Sequence, residues 1–387
     1  MIIIMIFQGI DVIENNSFNK LQNKKIALIT NYSFVNKKMD DGIDLMFKNQ
    51  VNVVKIFTPE HGLYGLPDGE EFDDQIHPIY KIPIISLYGK NKKPTAEQLK
   101  DIDVLVYDIQ DVGLRFYTFI YTLAYSLIAA SENYKKFIVL DRINPLGRVV
   151  FGPRIKKEFS TFVGNYELPL RYGLTPGELA RYYKKYLKLD VDLEVVKIEG
   201  WKGETFDKLK LKWNIPSPAL PTFESTLAYT GMCLIEGTNL SEGRGTPKPF
   251  CFVGAPWVNE NELYDFLCKK FSDLILRKRH FIPNFSKFQG QLCNGIEFFS
   301  ETKDNFVIVA IEMIRYLAQK EDFEFRKYLD RENHLQRDHI ENLLGVEKKV
   351  FFENDLSYLE DWNNSAQEFI NFCDDILLYG GINLWTI

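Results

Sequence analysis

Short apolar runs that recur along the first two-thirds of the chain, each ending in polar or acidic residues, restrict its fold more than any other feature. KIALIT (25–30) stops at Asn31 and Tyr32, and VNVVKIFT (51–58) stops at Pro59-Glu60-His61-Gly62. DVLVYDIQDVG (103–113) carries Asp108 and Asp111, FIVLDR (137–142) ends on Asp141 and Arg142, and PIISLYG (83–89) is a further run of the same kind. Runs this short and this apolar suit strands buried on both faces. Helical spacing fills the intervals. DGIDLMFKN (41–49) is one such segment, Thr95-x-x-Gln98 is a capping box, and Phe116, Phe119, Ile120, Leu123 and Leu127 recur at helical intervals. This β-α-β-α order predicts an α/β fold with a mainly parallel sheet and helices on both faces. Ligands of such sheets bind beyond the carboxyl ends of the strands. Thr58-Pro59-Glu60-His61, Asp108 with Asp111, and Asp141-Arg142-x-Asn144 all fall at such ends, so the topology predicts that they converge.

The 387 residues allow two domains. SEGRGTPKPF (241–250), rich in Gly and Pro, reads as a link between lobes and places the domains at 1–242 and 243–387. Residues 325–364 are strongly charged and read as a solvated helical surface. A net charge of −6 argues against a nucleic-acid partner. Five cysteines without a CxxC pair argue against a disulfide framework or zinc-thiolate site and read as small buried hydrophobes. Neither His77, His280, His334 nor His339 has the spacing of a zinc motif. With no GxGxxG, no complete P-loop around Gly89-Lys90 and no GxSxG elbow, no metal or cofactor is expected. The N-terminal MIIIMIFQGIDVIENN lacks a basic n-region and a small-residue cleavage site, and its apolar part is too short to span a membrane. Taken alone, it is expected to leave the protein in the cytoplasm.

The PEHG run carries the clearest chemistry. Pro59 restricts the backbone, and Gly62 and Gly65 allow tight turning, so Glu60 can be held rigidly beside Phe57, Leu63 and Tyr64. A carboxyl group against apolar walls is suited to general acid catalysis; a turn or helix-capping acid is the equal alternative. His61 can orient Glu60, bind substrate or serve the turn. Asp108 and Asp111 can pair with Arg115 and Arg142 or bind a divalent cation, the ion pairs being the favoured reading. Tyr117 can assist a developing oxocarbenium ion or pack in a helix. Arg171 precedes a helix capped by Thr175 with Pro176 at its first position. Glu236, Asn239, Glu242 and Arg244 crowd one loop-rich run, and arginine there is suited to gripping a carboxylate.

KIALITN, FTPEHGLYG, SLYGKNKKPT, VLVYDIQDVGLRFYT, VLDRINPLG, RYGLTPGELA, CLIEGTNLSEGRGT and GAPW occur in that order. Together they make the chain resemble the NamZ-type exo-β-N-acetylmuramidases from about Gly9 to the C-terminal LLYG. The resemblance implies a Rossmann-like lobe, a smaller α+β C-terminal lobe and a cleft between them. It implies release of N-acetylmuramic acid from the non-reducing ends of peptidoglycan fragments, with muramic acid–glucosamine saccharides as partners. It also implies that Glu60 is the catalytic acid, with Asp108, Arg115, Tyr117, Asp141, Arg142, Asn144, Asn239, Glu242 and Arg244 as further cleft residues. A periplasmic or extracellular location follows from the resemblance, against the cytoplasmic reading of the N-terminus. The chain departs from the family pattern at Ile143, Arg148 and Ala219. Stabilisation of the transition state by Asp108, Tyr117 or Glu242, or by the substrate's own acetamido group, stays open on the sequence. So do a non-catalytic sugar binder and a metal-dependent hydrolase using Asp108 and Asp111.

Overall fold

The structure, a computed structural model, describes residues 5–66, 73–329, 336–352 and 357–385; residues 1–4 of the N-terminal apolar run and His334 lie outside them. The first lobe begins with helix α1 (Gly9–Asn15), strand β1 (Ile26–Thr30), helix α2 (Gly42–Lys48) and strand β2 (Val53–Thr58). Strands β3 (Gln75–Ile76) and β4 (Pro83–Ser86), helix α3 (Ala96–Leu99), β5 (Val104–Asp108), helix α4 (Phe119–Glu132) and β6 (Lys136–Leu140) follow. After β7 (Val149–Phe151) and β8 (Arg171–Tyr172) come helix α5 (Pro176–Tyr186) and β9 (Leu193–Val196).

Seven of these strands form one sheet in the order β3-β4-β2-β1-β5-β6-β9. Every neighbouring pair is parallel except β3–β4. The chain therefore winds outward in both directions from β1, the Rossmann arrangement, with its switch point between β1 and β5. Successive strand side chains point to opposite faces. Ala27, Ile29, Phe57, Leu105, Tyr107 and Val139 pack with Leu127 of α4 and Leu179 of α5. On the other face, Ile26, Leu28, Ile56, Val106 and Ile138 pack against Ile10 of α1 and Met46 of α2. Two covered faces explain why these runs are apolar throughout.

The second lobe contains helix α6 (Phe223–Met232), β10 (Phe252–Ala255), helix α7 (Glu260–Lys270), β11 (Ile275–Phe281), β12 (Cys293–Phe299) and helix α8 (Phe306–Leu317). β13 (Lys327–Leu329), β14 (Gln336–Asp338) and helix α9 (His339–Leu344) complete it, and helix α10 (Ser357–Cys373) packs Trp362 on Phe151 of β7 and Phe369 on Tyr182 of α5. The main sheet of the second lobe is antiparallel, β10-β12-β11. The chain then returns to the first lobe, where β15 (Asn383–Leu384) pairs in parallel with β7.

The Gly- and Pro-rich run 241–250 is itself ordered at its start, where Ser241 and Gly254 exchange both backbone hydrogen bonds, at 2.8 and 3.1 Å. One segment differs from its reading in the sequence. Within the charged stretch 325–364, β13 and β14 pair, and α9 buries Ile340, Leu343 and Leu344. The i, i+3, i+4 spacing of those three gives α9 an apolar stripe that the surrounding charges obscure.

The second lobe also depends on one close contact. A Cβ on Gly231 in α6 would lie 1.8 Å from the Phe306 carbonyl oxygen at the start of α8. Alanine would gain about 1 kcal/mol in helix propensity. A collision with backbone has no rotamer to relieve it, and overpacking typically costs about 1–3 kcal/mol. Gly231→Ala is therefore expected to lower the melting temperature in calorimetry; an unchanged or raised value would contradict this packing.

Candidate active site

The cleft forms beyond β2, where the PEHG turn meets the segment entering α4 and is covered by the second lobe. His61 adopts φ +67° and Gly62 φ +65°, so the backbone reverses immediately after Glu60. The Gly62 N–H donates to the Pro59 carbonyl at 3.0 Å, and the Leu66 N–H donates to the His61 carbonyl at 2.8 Å. The His61 ring lies with its Nδ1 2.9 Å from the Leu66 carbonyl oxygen, which makes Nδ1 the protonated nitrogen. His61 thus braces the turn while lining the cleft.

The Glu60 carboxyl is half-buried and accepts a hydrogen bond from Thr118 Oγ1 on Oε2, at 2.7 Å. Tyr117 and Phe119, on either side of Thr118, also line the cleft, their rings 4.6 Å apart. Burial pushes the Tyr117 hydroxyl well above the ordinary tyrosine range, with Tyr32, Asp111 and Glu60 adding to the rise and Ser217 opposing it. The buried hydroxyl makes no well-formed hydrogen bond among the described residues.

From the second lobe come Glu236, Arg244, Phe250, Tyr328 and His339. Arg244 donates from Nε and Nη2 to Glu236 Oε1, at 3.2 and 2.8 Å, and its guanidinium lies 5.1 Å from the centre of the Phe250 ring. The His339 ring stacks on Tyr328 at 5.1 Å. Burial lowers the His339 pKa and favours the neutral ring, with Glu236 opposing. Tyr88, Phe116, Phe162 and Tyr229 supply further aromatic walls. The space enclosed is about 310 Å³, the lower end of the range for small-molecule sites. The rings suit a small ring-shaped ligand, Arg244 offers donors to an acidic group on it, and the carboxyl groups offer acceptors to its hydroxyls.

Several residues singled out in the sequence lie elsewhere. Asp108 is fully buried and accepts from Arg142 Nε at 2.5 Å, while Arg142 Nη2 donates to the Val35 carbonyl at 3.0 Å. Asp111 accepts from the Tyr172 hydroxyl and the Gly113 N–H. The pair reading therefore describes Asp108, whose ion-pair partner among the described residues is Arg142 and not Arg115. Arg115 donates to the carbonyls of Pro153, Leu168 and, across the lobes, Leu343. Asn144 bridges the Leu174 carbonyl and the Leu146 N–H. Arg171 donates to the Leu146 carbonyl and stacks on Trp385 at 4.5 Å. Asn239 holds the backbone of Asp322 and Glu324, and the buried Glu242 pairs with Lys287 at 2.9 Å and lies 3.5 Å from Arg244. Asp141 accepts from Arg142 N–H, Gly177 N–H, Thr175 and Tyr379. Of the residues singled out for substrate or catalysis, Glu60, His61, Tyr117 and Arg244 line the cleft. Thr118, Tyr328 and His339 were not singled out as site residues, and Glu236 was named only as part of the charged cluster around Arg244. Glu236 lies within the charged run around Arg244, so a signal existed, whereas Tyr328 and His339 come close only through the pairing of β13 with β14 ahead of α9. Among the described residues no group of three His, Cys, Asp or Glu side chains is placed to hold a metal ion.

The fold and cleft define a two-lobed enzyme built on a Rossmann-like sheet, with a glutamate at a strand end facing aromatic walls and an arginine. Models of the N- and C-terminal parts of the exo-β-N-acetylmuramidase NamZ match residues 26–224 and 227–379, and the chain belongs to that family. It is 44% identical over 326 residues to the peptidoglycan β-N-acetylmuramidase NamZ of Bacillus subtilis, covering 82% of this chain and 79% of that protein. Crystal structures of two DUF1343 family proteins from Bacteroides fragilis share the fold. One superposes with a TM-score of 0.84 at 30% identity, covering 97% of this chain and all of the other; the second gives 0.77 at 27% identity, covering 97% and 99%.

The buried carboxyls make stability depend on pH. Burial raises Asp141 to about 7 despite its four donors, Tyr379 first among them. The folded chain therefore holds a proton on Asp141 that the unfolded chain releases near pH 4. Its contribution to stability is fully present below about pH 4 and is lost as pH rises through about 7. In Asp141→Asn the amide oxygen can keep both backbone donors and the amide N–H groups can meet the two hydroxyls. Denaturant unfolding from pH 4 to 8 is expected to show a smaller loss of stability with rising pH in Asp141→Asn than in the parent; parallel curves would refute it.

Proposed function

We propose that this protein is an exo-acting β-N-acetylmuramidase that releases N-acetylmuramic acid from the non-reducing ends of peptidoglycan fragments. Its place in the family and the Glu60 carboxyl in an aromatic cleft support this reading. Glu60 is the general acid. It gives its proton to the glycosidic oxygen as the bond from that oxygen to the anomeric carbon breaks. Water then adds hydroxide to the sugar and returns a proton, so the enzyme is restored. Tyr117, which lines the cleft beside Thr118, stabilises the oxocarbenium-like charge. Asp108 and Glu242 are committed to Arg142 and Lys287, which favours Tyr117 over either for this role.

Glu60→Gln keeps the size of the side chain and removes the transferable proton. It is expected to lower release of muramic acid from a muramic acid–glucosamine disaccharide by at least about 100-fold with an unchanged circular dichroism spectrum. Full activity in that variant would remove Glu60 from the mechanism.

Arg244 is the arginine, among the described residues, that lines the cleft. Muramic acid differs from glucosamine by a lactyl ether bearing a carboxylate, which an arginine fork binds through two hydrogen bonds. Glu236 holds the guanidinium, and the Phe250 ring lies beside it. Arg244→Lys keeps the positive charge beside Glu236 and loses the fork. Steady-state kinetics on aryl muramides is expected to show KM raised about 10-fold or more with a smaller change in kcat. An unaltered KM would place the carboxylate elsewhere.

A further inference from the structure

Thr118 occupies the N-cap position of α4, where a threonine hydroxyl ordinarily accepts a hydrogen bond from the backbone N–H of the second or third helical residue. Here the side chain makes no capping hydrogen bond. Its hydroxyl instead donates to Glu60 Oε2 at 2.7 Å, the one hydrogen bond that the described residues give this carboxyl group. Thr118 is partly buried, and its neighbours are locked: Phe119 packs edge-on against Tyr117 and, at 6.2 Å, against the His61 ring. The Thr118 carbonyl accepts from the Tyr121 N–H at 3.0 Å, so the helix holds the donor in place while the hydroxyl reaches out of it.

We infer that Thr118 is a positioning residue for acid catalysis, which selects the oxygen of Glu60 that carries the proton. The inference rests on Glu60 being the general acid. A neutral carboxyl group has one hydroxyl oxygen and one carbonyl oxygen, and the carbonyl oxygen is the better acceptor. Donation by Thr118 makes Oε2 the carbonyl oxygen, so the proton is carried by Oε1. In the reaction the Oε1–H bond breaks, the glycosidic oxygen gains that proton, and its bond to the anomeric carbon is cleaved. The negative charge left on the carboxylate spreads to Oε2. The Thr118 hydrogen bond then becomes charge-assisted and shortens and strengthens. An interaction that is stronger in the transition state than in the ground state raises kcat. Thr118 has a helical backbone (φ −67°, ψ −22°), unlike the extended Thr95, Thr175 and Thr222 that cap their own helices, so its hydroxyl is turned to Glu60 and not to the helix end.

The leaving group separates positioning from a general structural role. A sugar hydroxyl leaves only with a proton, whereas 4-nitrophenolate leaves readily as an anion and needs little acid assistance. Thr118→Val keeps the shape and removes the donor, and Thr118→Ser restores it. Thr118→Val is expected to lower kcat on a muramic acid–glucosamine disaccharide about 10- to 100-fold, with KM changed by less than about 3-fold. On 4-nitrophenyl β-N-acetylmuramide its kcat is expected to fall less than about 3-fold, and Thr118→Ser is expected to recover most of the disaccharide activity. Equal losses on both substrates, no loss on the disaccharide, or failure of serine to rescue would each overturn the assignment. Glu60→Gln measured beside it tests the underlying reading separately. Selective loss on the disaccharide in Glu60→Gln upholds the acid, and the Thr118 variants then decide the positioning role alone. Normal disaccharide hydrolysis in Glu60→Gln would overturn both.

Discussion

Asp141, fully buried at the carboxyl end of β6, is the constraint on which the first lobe turns. Its Oδ1 accepts from the N–H groups of Arg142 and Gly177, and its Oδ2 from the hydroxyls of Thr175 and Tyr379. Those donors belong to the turn after β6, the start of α5 and the C-terminal tail. A buried carboxyl without such donors would be expensive to enclose, so burying this one requires all three segments to come together. Arg148 reinforces the closure through a two-pronged pair with Glu178 and hydrogen bonds to the carbonyls of Gly380 and Gly381. The return of the tail is thus built by polar groups as well as by the pairing of β15 with β7.

The same logic operates one strand away. Asp108 at the end of β5 takes the Arg142 guanidinium, which closes the switch point between β1 and β5 with an ion pair. Rossmann-like sheets commonly use that crevice for a ligand. Here the open space lies to the side, beyond β2, where Glu60 leaves the sheet and the second lobe supplies the opposite wall. Arg115 ties the two walls together by donating to Leu343 at the end of α9. The residues that look most catalytic by charge are therefore spent on bonds within the fold, and a smaller group faces the cleft.

How much of this was legible in the sequence follows from the range of the forces involved. Strand runs, helix caps at Thr95 and Thr175, and the doubly covered sheet are local or periodic, and the sequence showed them. The PEHG turn was also legible, because proline and glycines around a glutamate limit the backbone whatever the rest of the chain does. The contents of α9 were hidden, since Ile340, Leu343 and Leu344 sit among charges and their stripe spans little more than one turn.

What the sequence by itself determined is the α/β order, the strand ends and the family, because each depends on spacing along the chain. Only the tertiary structure decided which polar residues line the cleft. Arg115, Arg142, Arg171 and Arg244 look equivalent as letters, and all could bind a carboxylate. Three of them are consumed by buried carbonyls, a buried aspartate or a tryptophan ring, because a charge removed from water must find partners wherever packing places it. Arg244 is held by Glu236 yet still lines the cleft, through an arrangement that depends on contacts between residues far apart in the chain.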